Sequence, residues 1–312
     1  MIRRSGCRIR RGVAVVGSTT IDRNICNGVG RLQLGGVTTY AGLAYRRHGL
    51  PTWIVTRIAP AHRPLLSRLS AAGIRIHAAG SDRTTQFINY ITGSRRTQQM
   101  PSRAAPIRCN QVRRVLDRVD CIHLGPLHPA DIECAVFHLL RDQPTLVVAD
   151  LQGLVRRLRS GRVIAGAGDA LAPALAAADV VKTDADELET VLAALGGDVA
   201  GLMAAFAIQE WVVTARERGG QIFTACGGRH PYSAEPAVAG GDPTGAGDVF
   251  LAAYTAARFA EGLDVDRAGA QAAAAAACHV ADGLVRRTTL DLAPNRLQPE
   301  GGRPIDMPCD PL

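Results

Sequence analysis

The sequence contains few aromatic residues. Phenylalanine, tryptophan and tyrosine make up 4% of the 312 residues, whereas hydrophobic residues of all kinds make up 47%. A chain of this size and composition can bury a large core, so disorder is not the default expectation. Because aromatic side chains are scarce, the core must consist mainly of aliphatic side chains and closely packed backbone. This favours helices packed on a sheet.

Lysine is almost absent, and the positive charge is not gathered in one segment. The formal net charge is +8, yet Lys182 is the only lysine, and the arginines are spread along the whole chain. Proteins that bind nucleic acids usually cluster basic residues on one face. We therefore expect a generally basic surface and no nucleic-acid partner. Positive charge would also suit a phosphorylated ligand.

Paired cysteines and long apolar runs are also missing. The eight cysteines are scattered singly, without a Cys-x-x-Cys pair that could bind zinc or exchange disulfides. The arginine-rich start leads only into a short apolar run at residues 13–16, which is too short for a signal peptide. No other run approaches the length that spans a bilayer. The expectation is a cytoplasmic protein with reduced thiols and no membrane partner.

Short apolar runs alternate with helical segments along most of the chain. This alternation is typical of a doubly wound, mainly parallel sheet, in which ligands bind beyond the carboxyl ends of the strands. No Gly-x-Gly-x-x-Gly follows the first strand, which disfavours a Rossmann dehydrogenase. The predicted strands are 13–16, 53–56, 121–124, 145–150, 179–182 and 211–214. The predicted helices are 38–48, 63–72, 130–141, 170–178 and 186–194.

Residues 84–100 interrupt the alternation. They are rich in β-branched and aromatic residues around a turn, which indicates a hairpin. Together with residues 24–34, this hairpin could form a small sheet that covers a ligand and excludes water. The alternative is an edge hairpin of the main sheet. Residues 286–312 have prolines and glycines but little periodicity, so we predict an irregular tail after a domain at 12–285.

The strongest local signal lies at residues 240–250, which read Gly-Gly-Asp-Pro-Thr-Gly-Ala-Gly-Asp-Val-Phe. Gly245 and Gly247 allow the backbone to approach a ligand and to turn into a helix. The first helical amides, those of Ala246, Gly247 and Asp248, then point outward at the positive end of the helix dipole and predict an anion hole. Asp248 is placed to accept a hydroxyl proton during phosphoryl transfer.

The sequence also contains a shorter copy of this motif, which shows that the four residues Gly-Ala-Gly-Asp alone are weak evidence for a catalytic site. Residues 166–169 also read Gly-Ala-Gly-Asp, but no Asp-Pro-Thr precedes them. We expect this copy to form only a turn and an N-cap before the helix that contains Pro173. The functional interpretation therefore depends on the longer string, which includes Asp242 to Thr244.

The string Gly-Asp-Pro-Thr-Gly-Ala-Gly-Asp resembles the second signature of the ribokinase-like (PfkB) carbohydrate kinase family. Gly35 and Gly36 resemble its early Gly-Gly signature, and residues 17–22 are similar to its first strand and loop. The resemblance runs from about residue 13 to residue 285. It implies a three-layer α/β/α ribokinase-like domain with a small β lid. It also implies a kinase that uses ATP and Mg²⁺ to phosphorylate a hydroxyl of a small sugar or polyol, with Asp248 as the base.

The resemblance also implies ligand contacts for individual residues. Each has a simpler alternative: Asp22 could cap a loop, Gly35 and Gly36 could only make a turn, Lys182 could be a solvated strand end, and Glu187 could only stabilise the start of a helix. The implied substrate contacts are Asp22, Gly35, Gly36 and Tyr40. The implied nucleotide contacts are Lys182, Thr214, Gly219 and Thr244. The resemblance implies that Glu187 binds magnesium through water.

The chain departs from the family pattern at three positions. Tyr40 and Asp184 stand where the family commonly has asparagine, and Arg216 stands where glycine is frequent. The change at Tyr40 removes a usual sugar contact and points to a substrate other than ribose. Two stretches, Gly125-Pro126 and 150–152, together with the proline of Asp-Pro-Thr, resemble the plant myo-inositol kinase branch.

Two other functions remain open at the level of sequence. One is a nucleoside kinase of the same architecture, and the other is a non-catalytic sugar-binding regulator that has kept the fold. The intact Asp248 and its glycines favour an enzyme. We also consider a homodimer formed through the lid.

Overall fold

The computed structural model describes residues 8–26, 29–92, 95–234, 243–281 and 291–292. Within these residues the chain forms sixteen strands and nine α-helices, and the strands build two separate sheets. Asp242 and the two glycines before it lie outside the described residues, as do 286–290 and 293–312 of the predicted tail.

The larger sheet has nine strands in the order β15-β14-β13-β12-β9-β8-β1-β4-β5. Neighbouring strands are parallel except where β14 pairs with β13 and β15. This confirms the predicted doubly wound, mainly parallel sheet. Its strands are β1 (Val13–Gly17), β4 (Thr52–Ile58), β5 (Arg75–Gly80), β8 (Cys121–Gly125), β9 (Leu146–Asp150), β12 (Val180–Asp184), β13 (Glu210–Thr214), β14 (Gly220–Thr224) and β15 (Arg229–Tyr232).

Helices cover both faces of this sheet. Successive side chains of a strand point to opposite faces, so Val13 and Val15 join one apolar core while Ala14 and Val16 join the other. α1, α2, α8 and α9 pack into the first core, and α3 to α7 pack into the second. The result is the expected α/β/α arrangement. The helices are α1 (Val37–Arg47), α2 (Ser67–Ala71), α3 (Cys109–Leu116), α4 (Cys134–Arg141), α5 (Leu171–Ala177), α6 (Ala185–Leu195), α7 (Val199–Phe206), α8 (Ala246–Ala256) and α9 (Val265–Val280).

The second sheet has seven strands in the order β10-β11-β7-β6-β2-β3-β16. It contains both predicted lid segments, so the structure decides against an edge hairpin of the main sheet. The hairpin β10–β11 was not predicted, and β16 falls within the segment predicted to be an irregular tail. The strands are β2 (Thr20–Cys26), β3 (Val29–Gly35), β6 (Thr85–Thr92), β7 (Arg95–Ser102), β10 (Arg156–Arg159), β11 (Arg162–Ala165) and β16 (Asp291–Leu292).

The second sheet also carries four of the five large hydrophobic side chains that are exposed in the described part of the chain. They are Val29, Tyr90, Leu158 and Ile164. Exposed apolar side chains on one element are typical of interaction surfaces. A homodimer through this sheet nevertheless stays a prediction.

Three predicted helix starts differ from the structure. α4 begins at Cys134, four residues after the predicted start at residue 130. The segment 63–72 begins as a 3₁₀ helix, Pro60–Leu66, before α2, because Pro64 lacks the N–H that a regular α-helical turn would use. The Gly-Ala-Gly-Asp copy forms a turn before α5, as predicted. However, the N-cap residue is Ala170, without a side-chain hydrogen bond, so Asp169 does not cap the helix.

No single helix in the described ranges is long and apolar enough to cross a membrane. One bent pair, α6 with α7, passes the length and composition test only when the two helices are taken together.

Candidate active site

Four charged side chains meet near the carboxyl ends of the central strands. Lys182 of β12 pairs in register with Asp150, the last residue of β9. Its Nζ lies 3.1 Å from Asp150 Oδ2 and 3.8 Å from Glu187 Oε2, and Asp248 adds a third negative charge nearby. Lys182 is 4% exposed and Asp150 is 1% exposed. Ions this deeply buried are tolerated only when they are paired.

The start of α8 lies directly against this cluster. Gly245 is the N-cap residue and adopts a left-handed conformation, with φ 82°. A Cβ on Gly247 would lie 3.2 Å from Lys182 Nζ, so the ammonium group touches the first turn. The Ala246 N–H donates to the Pro243 carbonyl at 3.0 Å and is engaged in the turn, which differs from the predicted three-amide hole. Within the described residues, the N–H groups of Gly247 and Asp248 have no hydrogen-bond partner.

The charges of the cluster set its protonation. Burial and the negative charge of Asp150 raise the pKa of Asp248 to about 7, although Lys182 opposes the increase. Burial disfavours the charged form of Lys182, but Asp150, Glu187 and Asp248 outweigh burial and raise its pKa above the ordinary value. Lys182 is therefore a permanent cation, while Asp248 titrates near neutral pH. A carboxylate with such a pKa is well matched to general base catalysis.

Glu187 has the helix-start role that the sequence left as an alternative. Its Oε2 accepts the Asp184 N–H at 2.8 Å, and Asp184 Oδ1 accepts the Glu187 N–H at 2.7 Å, which forms a capping box on α6. Within the described residues, no group of three potential metal ligands is present. Mg²⁺ usually keeps several waters and needs only one or two carboxylates besides substrate phosphates. Glu187 therefore fits the predicted water-mediated contact without a complete metal cage.

The predicted acceptor residues meet at the start of α1. Asp22 is buried in β2, and a Cβ on Gly35 would overlap its carboxylate. Gly36 is the N-cap residue of α1 with φ 85°, and a Cβ there would overlap the Ser18 carbonyl. The two glycines thus allow the backbone to fold tightly around Asp22. The structure places all three residues together, while their contact with a substrate stays a prediction.

Tyr40 connects the acceptor side to α8. It lies one turn after Gly36 and is buried, and a Cβ on Gly245 would overlap its ring. The ring also lies near His279, at a centroid distance of 5.5 Å, and His279 Nε2 lies 2.8 Å from the Thr244 carbonyl oxygen. Tyr40 and His279 therefore support the turn that begins α8. Neither the predicted substrate contact of Tyr40 nor the predicted nucleotide contact of Thr244 is tested by these contacts.

The predicted nucleotide residues lie on the next strand outward. Thr214 ends β13, and Gly219 starts the return into β14 with φ 82°; a Cβ on Gly219 would overlap the Tyr232 carbonyl. Between them, Arg216 is a non-glycine residue in the left-handed region, with φ 53°. Its Nη2 lies 3.6 Å from Asp186 Oδ2, and both side chains are exposed.

A family comparison decides the classification. Residues 12–290 match the family described as pfkB family carbohydrate kinase. The chain belongs to this family. As a pfkB carbohydrate kinase it is a phosphotransferase that acts on a hydroxyl group. No curated protein gives a significant match to the kinase.

Several solved structures share the fold of this kinase. A pyrophosphate-dependent kinase in the ribokinase family matches with a TM-score of 0.77 and 22% identity, over 89% of this chain and 98% of that chain. The nucleoside kinase of Methanocaldococcus jannaschii has a TM-score of 0.72 and 16% identity, over 91% and 95%. Arabidopsis thaliana ribokinase, solved with ribose and ATP, has a TM-score of 0.70 and 17% identity, over 89% and 95%. At these identities the likeness establishes the fold.

Three residues near the kinase site were not identified from the sequence. Asp150 holds Lys182, and His279 supports the turn before α8. Burial raises the pKa of Glu187 and of Asp248, and the positive charge of Arg156, the first residue of β10, opposes that increase. Asp150 could have been found as an acid that ends a buried strand. Arg156 and His279 had no local signal, because each reaches the site from a distant element.

The turn at Gly245 leads to a stability and activity prediction for the kinase. Gly245→Ala should be more destabilising than Gly227→Ala, and only the former should lower turnover. Both glycines are left-handed, with φ 82° and 86°, so alanine costs each about 1–2 kcal/mol. A Cβ at Gly227 meets open space, whereas one at Gly245 overlaps Tyr40. Urea unfolding and steady-state turnover of both variants test this, and equal losses in both would contradict it.

Proposed function

We propose that this kinase transfers the terminal phosphoryl group of ATP to a hydroxyl of a small sugar or polyol, with Asp248 as the general base. The observation that carries the proposal is the position of the Asp248 carboxylate in the first turn of α8. Lys182 lies beside it, and the N–H groups of Gly247 and Asp248 have no partner within the described residues. A base, a cation and an anion hole within one helical turn are what phosphoryl transfer to a hydroxyl needs.

The roles of the residues follow from their chemistry. Asp248 accepts the proton of the acceptor hydroxyl while the hydroxyl oxygen bonds to the terminal phosphorus. The bond from that phosphorus to the bridging oxygen breaks, and ADP leaves with the electron pair. Lys182 and the N–H groups of Gly247 and Asp248 stabilise the charge on the transferred oxygens. Mg²⁺, when bound, would neutralise donor phosphates, and Glu187 would hold it through water.

The acceptor proposal rests on Asp22 with Gly35 and Gly36. A buried carboxylate can accept two hydroxyl hydrogen bonds, and the glycines let the substrate approach the backbone. A solved neighbour, a pyrophosphate-dependent kinase of the ribokinase family, was studied with myo-inositol, which supports a polyol acceptor here. A screen of donor consumption over pentoses, hexoses, inositols and nucleosides tests the proposal. Preference for a nucleoside would contradict the polyol assignment, and ligand binding without turnover would support a non-catalytic regulator.

Inorganic pyrophosphate is a second candidate donor, favoured by Arg216. A non-glycine residue in the left-handed region costs about 1–2 kcal/mol and persists where it has a use. Arg216 and Arg218 put two positive charges in the loop predicted to lie along the donor. A guanidinium group binds phosphate oxygens well, because it can donate two parallel N–H hydrogen bonds. Solved neighbours include pyrophosphate-dependent kinases.

Arg216→Gly separates the two donors. If ATP is the donor, the variant should keep or raise kcat/KM for MgATP, because glycine relieves the backbone strain at this position. If pyrophosphate is the donor, kcat/KM for magnesium pyrophosphate should fall at least about tenfold, because a charge-assisted contact is lost. Exposed Arg229, replaced by glycine, serves as the control for loss of charge. Unchanged pyrophosphate turnover in Arg216→Gly would remove the support for this donor.

A further inference from the structure

The residues before α8 form a tight turn whose type follows from the backbone. The Ala246 N–H donates to the Pro243 carbonyl at 3.0 Å, which closes a four-residue turn. Gly245, the third residue, has φ 82° and ψ −1°. These angles fit a turn of type II or type I′, but type I′ also needs a positive φ at the second residue, and the φ of Thr244 is not positive. The turn is therefore of type II.

The peptide between Thr244 and Gly245 is what distinguishes this turn from a type I turn. The two types differ mainly by a rotation of the central peptide, which exchanges the positions of its carbonyl and its N–H. The peptide is trans, so its C=O and N–H point in opposite directions. A group that holds the Thr244 carbonyl therefore also sets the direction of the Gly245 N–H.

His279 of α9 holds this carbonyl. It is 6% exposed, and its Nε2 lies 2.8 Å from the Thr244 carbonyl oxygen, 35 positions away in the chain. A carbonyl oxygen can only accept a hydrogen bond, so Nε2 carries a proton and donates. The ring packs edge-on against Tyr40, at an interplanar angle of 66°. The direction of the donor is thus fixed by the packing of α9 against α1.

The opposite end of the same peptide is open to a ligand. The Gly245 N–H points away from His279 and has no hydrogen-bond partner in the part of the chain that the structure describes. The N–H groups of Gly247 and Asp248 are the other two open donors at the positive end of α8. If the peptide rotated to the type I form, the Thr244 carbonyl oxygen would replace the Gly245 N–H. An anion would then meet a negative dipole instead of a donor.

We propose that His279 is a positioning residue for phosphoryl transfer. It fixes the Thr244–Gly245 peptide so that the Gly245 N–H faces the transferred phosphoryl group, together with the N–H groups of Gly247 and Asp248. This role rests on the proposed function, because it concerns the anion bound at the start of α8. His279 acts only through the turn. A donor already aimed at the developing charge needs no rotation during the reaction, and such a donor contributes about 10²–10³-fold to kcat.

Two substitutions separate the hydrogen bond of His279 from its ring packing. His279→Phe keeps an aromatic ring against Tyr40 but cannot donate, whereas His279→Gln loses the ring and keeps an N–H at about the position of Nε2. We expect His279→Phe to lower kcat at least about tenfold with little change in KM. His279→Gln should keep kcat within about threefold of wild type. Cys278→Ser, at the exposed neighbouring position, is the control and should match wild type.

A purely structural role of His279 predicts a different ranking. If the ring only packed against Tyr40, His279→Gln would lose more activity than His279→Phe, and kcat would follow the melting temperature of each variant. That ranking would overturn the positioning role. Equal losses of kcat in both variants, or wild-type kcat in His279→Phe, would overturn it too, while turnover by the wild type would leave the kinase reaction intact.

Gly245→Ala gives a second test through the same peptide. Alanine is disfavoured at φ 82°, so this variant already disturbs the type II turn. His279→Phe should then lower kcat less than about threefold in the Gly245→Ala background, compared with at least about tenfold in the wild type. Effects of the two substitutions that simply multiply would contradict a shared peptide.

Nitrogen-15 NMR of wild-type protein labelled at histidine tests the hydrogen bond without turnover. The signal of His279, assigned by its loss in His279→Gln, should show a proton on Nε2 that exchanges slowly with water. A bare Nε2 would overturn the inference. Absence of turnover by the wild type with every acceptor and both donors would instead contradict the proposed function, whereas the wrong ranking of variants in an active protein contradicts only the role of His279.

Discussion

Asp248→Asn is expected to lower kcat by about 10³-fold while the protein stays folded and still binds the donor. Asparagine keeps the shape and an oxygen acceptor but cannot take a proton, and positioned bases contribute about 10²–10⁴-fold to such reactions. The donor should still bind, because Lys182 and the N–H groups at the start of α8 are unchanged. Rapid-quench or steady-state turnover together with calorimetric donor binding measures both parts. Equal turnover in variant and wild type would exclude Asp248 as the base.

The pH dependence gives a second readout of the same substitution. The active form of Asp248 is the carboxylate, so wild-type kcat/KM should fall about tenfold per unit as the pH drops below the pKa of about 7. The residual activity of Asp248→Asn should not show this decrease at low pH. Because the folded-state pKa is raised, the folded protein binds this proton more tightly, and stability is lost as the pH rises through about 7. Asp248→Asn should therefore be at least as stable as wild type at pH 8.

Lys182→Met is expected to cause the largest loss of stability. Methionine fills a similar volume but leaves Asp150, Glu187 and Asp248 without their buried cation. Breaking a buried ion pair by removing one partner costs about 3–5 kcal/mol, because the remaining charge is uncompensated. Urea unfolding measures the loss. Lys182→Met combined with Asp150→Asn should recover part of it, since the double variant buries one negative charge fewer.

Lys182→Met and the single variant Asp150→Asn should shift the pH profile of kcat/KM in opposite directions. Lys182 lowers the pKa of Asp248 and Asp150 raises it. The acidic limb of kcat/KM should therefore move to higher pH in Lys182→Met and to lower pH in Asp150→Asn. A role of Lys182 confined to folding would change the free energy of unfolding and leave the limb in place. If the acidic limb moved in the same direction in both variants, the assigned effects of Lys182 and Asp150 on the pKa of Asp248 would be contradicted.

The sequence predicted the parts of this fold that are local. Apolar runs such as β1 and β12 are recognisable because each is buried on both faces, and the glycines at 245 and 247 mark a turn that only small residues can form. The family resemblance then ordered these parts into the ribokinase-like arrangement, which the family comparison confirmed.

Features that depend on register between distant strands could not be predicted in the same way. The pairing of Lys182 with Asp150 joins residues 32 positions apart, and Gln33 meets Asp291 across 258 positions. No periodicity in either segment indicates its partner. The position of Tyr40 is a similar case. The family pattern suggested a substrate contact there, but only the packing of α1 on α8 shows that the ring supports Gly245.

Phosphorus NMR of the reaction tests the central claim most directly. Wild-type protein with MgATP or magnesium pyrophosphate and the acceptor panel should produce a phosphomonoester resonance from a polyol or sugar. Asp248→Asn, at equal concentration and at pH 8, should form the monoester about 10³-fold more slowly. A monoester that forms equally fast with Asp248→Asn, or no monoester from any wild-type mixture, would contradict phosphoryl transfer to a hydroxyl at Asp248.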